Sequence, residues 1–196
     1  MKPLHSDWPA FADVLLRRRL LLVTLMPTVT GLLVLRFGGH LALVPNVFVL
    51  GVLGPVLSIL DGALHRLPDR IVLPAIPLTL FLLATSAAVE HEGAPLARAL
   101  LGGTLASTCF VVLALASRGD LGWGDVKVGG GLLAPLLAWT GWWTLMDGGL
   151  IAFAAASVTA HAGFLQSGGG RRRIALGPYL FAGALAALLI SGPGHP

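Results

Sequence analysis

VFVLGVLGPVLSILD (Val47–Asp61) carries fourteen consecutive residues without a charge and then an aspartate. Extended back to Leu41, the apolar run reaches the roughly 20 residues that a helix needs to cross a bilayer. The rest of the chain has the same character. It has 196 residues, 56% of them hydrophobic and only 11% charged, with a mean hydropathy of +0.86. Soluble domains are roughly 45–50% apolar and about 25% charged. A water-soluble globule of this size lacks the charge to cover its surface, and a disordered chain needs more charge still. One cysteine, Cys109, excludes a disulfide scaffold. The expected fold is an all-α, polytopic membrane helix bundle.

About seven spans are expected, at Leu20–Leu35, Leu41–Leu60, Ile71–Val89, Leu96–Ala116, Val128–Met146, Leu150–Leu165 and Ile174–Ile190. The first is short and is allowed to begin near Val14, with Arg17, Arg18 and Arg19 snorkelling to the interface. No short apolar core followed by a small-residue cleavage site precedes it, so no cleavable signal peptide is expected. Short connections predict one membrane-embedded domain over residues 1–196, without internal repeats.

The charges sort by side. Lys2, Arg17, Arg18, Arg19, Arg66, Arg70, Arg118, Lys127 and Arg171–Arg173 fall at one set of ends, and only Arg36 and Arg98 at the other. Basic residues in short loops favour the cytoplasm, so the N-terminus is predicted inside and the C-terminus outside a cell-membrane protein. Thirteen scattered basic residues form no groove or stripe. No nucleic-acid partner is expected, despite the net charge of +4.

Nine acidic residues remain to be placed. Asp7 and Asp13 lie in the N-terminal tail, and Glu90, Glu92 and Asp147 in expected outer loops. Asp61, Asp69, Asp120 and Asp125 lie near the cytoplasmic ends of helices. Asp61 closes an apolar span, and Asp125 stands in SRGDLGWGDVK before another. An ionisable group at membrane depth is costly and marks a functional hypothesis. The structural alternative is an interfacial cap. That suits Asp125 at a helix start better than Asp61 at a helix end, where the dipole disfavours an anion.

Two carboxylates meeting at one membrane face have a definite chemistry. Like charges at short range do not both ionise easily, so the pair shares a proton. One ionised Asp takes a proton from water while the other donates to a scissile carbonyl oxygen. Such a pair needs no metal, cofactor or covalent intermediate. It titrates as a unit, which leaves acid and base unassigned. Gly122 and Gly124, on either side of Trp123, fit this picture as positions where backbone approaches a substrate closely, or they form a loop tip.

At these residues the chain resembles the prepilin peptidases, the membrane aspartic peptidases of the type IV prepilin leader peptidase family. GWGDVK (Gly122–Lys127) matches the G-x-G-D-x-K motif. DGALHRLPDRIVLP (Asp61–Pro74) is similar to the first motif, an Asp ending one span followed by Pro-Asp and a new span. RRRIALGPYLFAG (Arg171–Gly183) is similar to the late segment, basic residues and then Gly-Pro leading into the last helix. The two aspartates lie 64 residues apart, a spacing that also resembles the family's.

The resemblance implies that Asp61 and Asp125 are the catalytic pair. The implied partner is a prepilin or pseudopilin with a short basic leader and a hydrophobic helix, cut near the cytoplasmic face, typically after glycine. A role in pilus, pseudopilus or secretion assembly follows. Bifunctional members carry paired C-x-x-C zinc-binding motifs and also methylate the new N-terminus. A zinc site of that kind needs about four ligands. With Cys109 alone, peptidase activity without N-methylation is expected. Oligomeric state stays open.

Other residues have two readings each. Asp69 is either a contact near the site or, preferred here, the N-cap of the third span. Lys127 either balances the pair's charge or anchors the inner face. His65 reads as a loop histidine, and His161 as a polar group packed inside the bundle. Cys109 reads as a small buried residue. Trp139, Trp142 and Trp143 read as an interfacial belt. Gly129–Gly131 suits a close helix contact, either between the acid-bearing helices or beside a hydrated gap. Ala152, Ala156 and Ala160 suggest another tight contact. Two further functions compete. One is an ion- or proton-coupled transporter, for which intramembrane acids and Pro-broken helices are the cue. The other is a presenilin-like G-x-G-D peptidase, disfavoured because Leu60 rather than Tyr precedes Asp61.

Overall fold

The computed structural model describes residues 8–117, 121–166 and 175–191, and these are helical throughout their regular structure. The order is α1 (Trp8–Arg17), α2 (Arg19–Phe37), a 3₁₀ turn (Leu41–Leu43), α3 (Val44–Leu64), α4 (Asp69–Glu90) and α5 (Gly93–Ala116). The short α6 (Trp123–Val126) follows, then a π-helical segment (Lys127–Leu133), α7 (Ala134–Thr140), α8 (Trp142–Gln166) and α9 (Gly177–Ser191). Lys2, Asp7, Arg118, Asp120 and Arg171–Arg173 lie outside the described residues.

Five helical stretches among the described residues are long and apolar enough to cross a membrane: Arg19–Phe37, Leu41–Leu64, Asp69–Glu90, Gly93–Ala116 and Trp142–Gly163. The two other expected spans take different forms. Val128–Met146 is interrupted at Gly141, where α7 ends and α8 begins, so its last residues belong to the next helix. The final helix has 15 residues, short of spanning length. The first span does not continue back to Val14. Three adjacent exposed arginines interrupt it, with Arg18 leaving helical geometry at φ −102°, ψ 18°. α1 is a separate amphipathic helix with Phe11 buried.

α3 is the centre of the bundle. Its apolar window is 56% buried, against 11% for α2. It packs on α1, α2, α4 and α9, while α8 packs on α9 and α5 packs on the π-helical segment and α7. Leu33, Phe37, Val47, Leu57, Leu60, Val72, Leu83, Val128 and Leu188 are fully buried. Large apolar side chains cover the outside, including Leu20, Val23, Leu35 (84% exposed), Leu150 and Val158. Water would penalise such a surface, and lipid does not.

Glycines set the tightest contacts. A Cβ on Gly130 would come within 2.5 Å of Ser107 Cα, one on Gly129 within 2.5 Å of the Phe110 ring, and one on Gly131 within 2.8 Å of Ile76. Gly129–Gly131 therefore seats the π-helical segment against α5 and α4, rather than against the Asp61-bearing helix. The Ala134 amide bonds back to the Gly129 carbonyl, five residues earlier. Pro135, which has no N–H, follows in the first turn of α7. Ala152 and Ala156 are buried, with Ala152 closely apposed to Gly183 of α9, whereas Ala160 is exposed.

Arg36 and Arg98 close helix termini. Arg98 donates to the carbonyls of Ala138 (2.7 Å) and Trp139 (2.5 Å), and Arg36 donates to that of Leu189 (3.4 Å). Trp139 is itself buried, so only Trp142 and Trp143 remain as exposed candidates for a belt. Cys109 and His161 are exposed instead of buried in the bundle, because their positions on α5 and α8 face away from the other helices.

Gly130→Ala is expected to cost about 1–3 kcal/mol, the usual range for overpacking a tight contact. Gly31→Ala has no heavy atom within 4 Å of the new Cβ, so it should be neutral or gain up to about 1 kcal/mol of helix propensity. Thermal unfolding in detergent compares them, and equal midpoints would contradict this packing.

Candidate functional site

Asp61 sits in the last turn of α3, just before the chain turns into α4. His65 ends the helix in the left-handed region (φ 51°, ψ 34°), and its amide bonds to the Asp61 carbonyl at 2.8 Å. Histidine is among the residues that accept this conformation, so it does the work usually given to glycine. Pro68 then starts α4. The Asp61 carboxylate is 5% exposed. Its Oδ2 accepts a hydrogen bond from the Gly177 amide at 2.8 Å. The unfavourable end of α3 is thereby offset by the favourable N-terminal end of α9.

Asp125 lies in the first turn of α6, which Gly122 begins. It is 9% exposed. A hydrogen bond from the Gly122 backbone reaches its carboxylate, half of a reciprocal capping arrangement. Asp125 is thus the acidic residue of the first turn of α6, yet its Oδ1 remains buried without a partner. Burial pushes this carboxyl up to about 7, the charge of Asp61 pushes the same way, and the Gly122 hydrogen bond opposes both.

Asp61 and Asp125 line one cavity of about 410 Å³. Its walls come from Trp8 and Phe11 of α1, the α3–α4 turn, and residues from Gly122 to Lys127. Gly124 is what lets the two acid-bearing segments close on each other. A Cβ there would lie 3.0 Å from Leu67 Cδ1 and 3.1 Å from Leu67 Cβ. The close approach expected of this glycine is thus to the protein's own α3–α4 turn. Gly122 borders the opening, and a Cβ on it would stand 3.3 Å from Asp125 Oδ2.

Asp69 is not an N-cap. It occupies the first residue of α4 without a capping hydrogen bond, and its Oδ1 pairs with Lys127 Nζ at 2.6 Å. Lys127 is therefore spent on Asp69 at the cavity rim, which ties the π-helical segment to α4. Half-exposed as it is, this pair contributes at most about 1 kcal/mol. Of the sequence-predicted residues, all six (Asp61, Asp69, Gly122, Gly124, Asp125 and Lys127) border the cavity. Sequence reasoning did not anticipate Gly177, Leu67 or the α1 wall. The Gly177-Pro178 pair carried the only local signal, a proline near a helix start.

Residues 48–163, more than half of the chain, match the type IV leader peptidase family, Peptidase_A24. The chain belongs to this family. Comparison with curated proteins and with solved structures finds no match. The leader peptidase match runs from α3 into α8 and includes both buried carboxylates, Gly124 and the Asp69–Lys127 pair. Gly177 lies beyond it. Membership of this peptidase family makes the chain a peptidase-type hydrolase.

Asp125 is expected to titrate near 7 in carboxyl infrared spectra of the detergent-solubilised protein. Asp61→Asn removes the neighbouring negative charge, so the Asp125 midpoint should fall while burial keeps it above an ordinary carboxylate. A parent midpoint near 4, or one that Asp61→Asn does not lower, would contradict this electrostatic picture.

Proposed function

We propose that this chain is a membrane aspartic endopeptidase that removes the short basic leader of prepilin-like proteins at the cytoplasmic membrane face. One observation carries the reading: two buried carboxylates, within electrostatic reach of each other, share a cavity in a chain of the type IV leader peptidase family. The pair activates water directly. One carboxylate accepts a proton from water as its oxygen adds to the scissile carbonyl carbon, and the other supplies a proton to the carbonyl oxygen. The raised Asp125 supports a pair that holds one proton near neutral pH.

Topology belongs to the same proposal. With the N-terminus inside, α2, α3, α4 and α5 cross in turn. The π-helical segment with α7, then α8, continue the alternation, and α9, short of spanning length by itself, starts outward again from the inner face. Asp61 then ends an inward crossing, and Asp125 stands just before an outward one, so both meet at the inner face. The cavity opens beside Arg66, Arg70 and α1, at the level where a leader and the start of a substrate helix would lie. The product keeps a free N-terminus, since the paired cysteines of methylating members are missing from this sequence. Processed pseudopilins or pilins then pass to the assembly machinery.

Co-expression with a candidate prepilin tests the reading. The parent should remove the leader and leave an unmethylated product by mass spectrometry. Asp61→Asn and Asp125→Asn should each fold yet cut at least about 100-fold more slowly, because a positioned general acid or base is worth roughly 10²–10⁴. Normal processing by either variant would refute the assignment of the pair.

A further inference from the structure

We infer that Gly177 is a positioning residue that makes Asp61 the base of the pair and leaves the shared proton on Asp125. This rests on the aspartic peptidase reading above. It starts from an account of the first-turn amides of α9. The Tyr179 and Leu180 amides both bond to the Leu176 carbonyl at 3.0 Å. Pro178 has no amide hydrogen. The Gly177 N–H is left over, and it is directed at Asp61 Oδ2 at 2.8 Å in a buried setting. A buried helix-terminal donor with a carboxylate partner favours the ionised form of that partner.

The fit admits only glycine. A Cβ at 177 would stand 2.7 Å from Asp61 Oδ2 and 3.1 Å from Asp61 Cβ and Cγ. Asp125 is held differently. Its Oδ1 is buried and unpartnered, a poor setting for a full negative charge. Lys127 does not relieve it, since that ammonium is paired with Asp69. The proton therefore resides on the carboxyl that has an oxygen buried without a partner.

Other charged groups face the pair. His65 at the end of α3 lies within electrostatic reach of Asp61. Arg66, Asp69, Arg70 and Lys127 border the cavity. Elsewhere on the packed elements, α1 carries Asp13 and Arg17, exposed and paired with each other at 2.8 Å, and α9 carries Tyr179.

The cycle balances in two steps. Asp61 takes a proton from water, the water oxygen bonds to the scissile carbon, and the Asp125 proton passes to the carbonyl oxygen. The resulting gem-diol then returns a hydroxyl proton to Asp125. Asp61 passes its proton to the leaving nitrogen as the C–N bond breaks. One water is consumed, and both carboxyls return to their starting forms.

The test is the pH dependence of leader cleavage, as kcat/KM, in reconstituted vesicles. Two changes disturb the donor. Gly177→Ala crowds it, and replacing Gly177 with glycolic acid turns its amide into an ester and adds no atom. Both should move the acid limb up by about one pH unit, a tenfold change in the proton equilibrium, and leave the basic limb in place. Pro178→Ala keeps the Gly177 N–H and should leave both limbs unmoved.

If Gly177→Ala does not fold, the ester variant decides. An unmoved acid limb in the ester variant, a moved basic limb, or an equal shift in Pro178→Ala would overturn the role given to Gly177. That failure is distinct from failure of the peptidase reading, which would instead show as cleavage surviving Asp61→Asn or Asp125→Asn.

Discussion

Two carboxyl groups taken out of water and set near one another repel, and each loses its hydration. Burial of Asp61 and Asp125 is therefore the cost that the surrounding structure has to offset. The compensation is unequal. Asp61 is met by the amide end of α9, whereas Asp125 receives one backbone bond and keeps an oxygen without a partner. A symmetric site would have left the proton shared evenly. The asymmetry gives the pair a direction, and it comes from where the last helix starts rather than from the acids themselves.

Bringing the two segments together is a problem of backbone clearance. Gly124 lets the α6 turn lie on Leu67, and Gly177 lets α9 begin against Asp61. Behind them, Gly129–Gly131 lets the π-helical segment press into α5 and α4. The Asp69–Lys127 pair then links the rim across the same boundary. Each device is a missing side chain or a short polar contact. π-Helical geometry inside a longer helix commonly accompanies functional sites, and here it follows directly on Asp125.

Much of this was legible in the sequence because membrane helices obey simple rules. Uninterrupted apolar runs announced α2 to α5 and α8. The rarity of charge singled out Asp61 and Asp125, and the G-x-G-D and Leu-Pro-Asp elements pointed to the family. Other features depend on tertiary contact. Gly141 splits an apolar run that hydropathy joins, because a turn between two apolar helices leaves no polar mark. Asp69 has the sequence signature of a cap, yet a lysine 58 residues away claims it. His161, Cys109 and Trp139 were misplaced because, in an apolar chain, composition does not tell a lipid-facing side from a bundle-facing one. Gly177 stands out in the sequence as part of the Gly-Pro element, but its bond to Asp61 is not legible there, because that partner lies 116 residues earlier.

The central claim is that the segments carrying Asp61 and Asp125 converge on one cavity, and thiol cross-linking tests it most directly. In a Cys109→Ser background, Asp61→Cys and Asp125→Cys would be combined and treated in membranes with a short bifunctional thiol reagent. An intramolecular bridge between the two positions, mapped by mass spectrometry, is the predicted result. Thiols that react only singly, even with longer reagents, would contradict convergence and with it the mechanism.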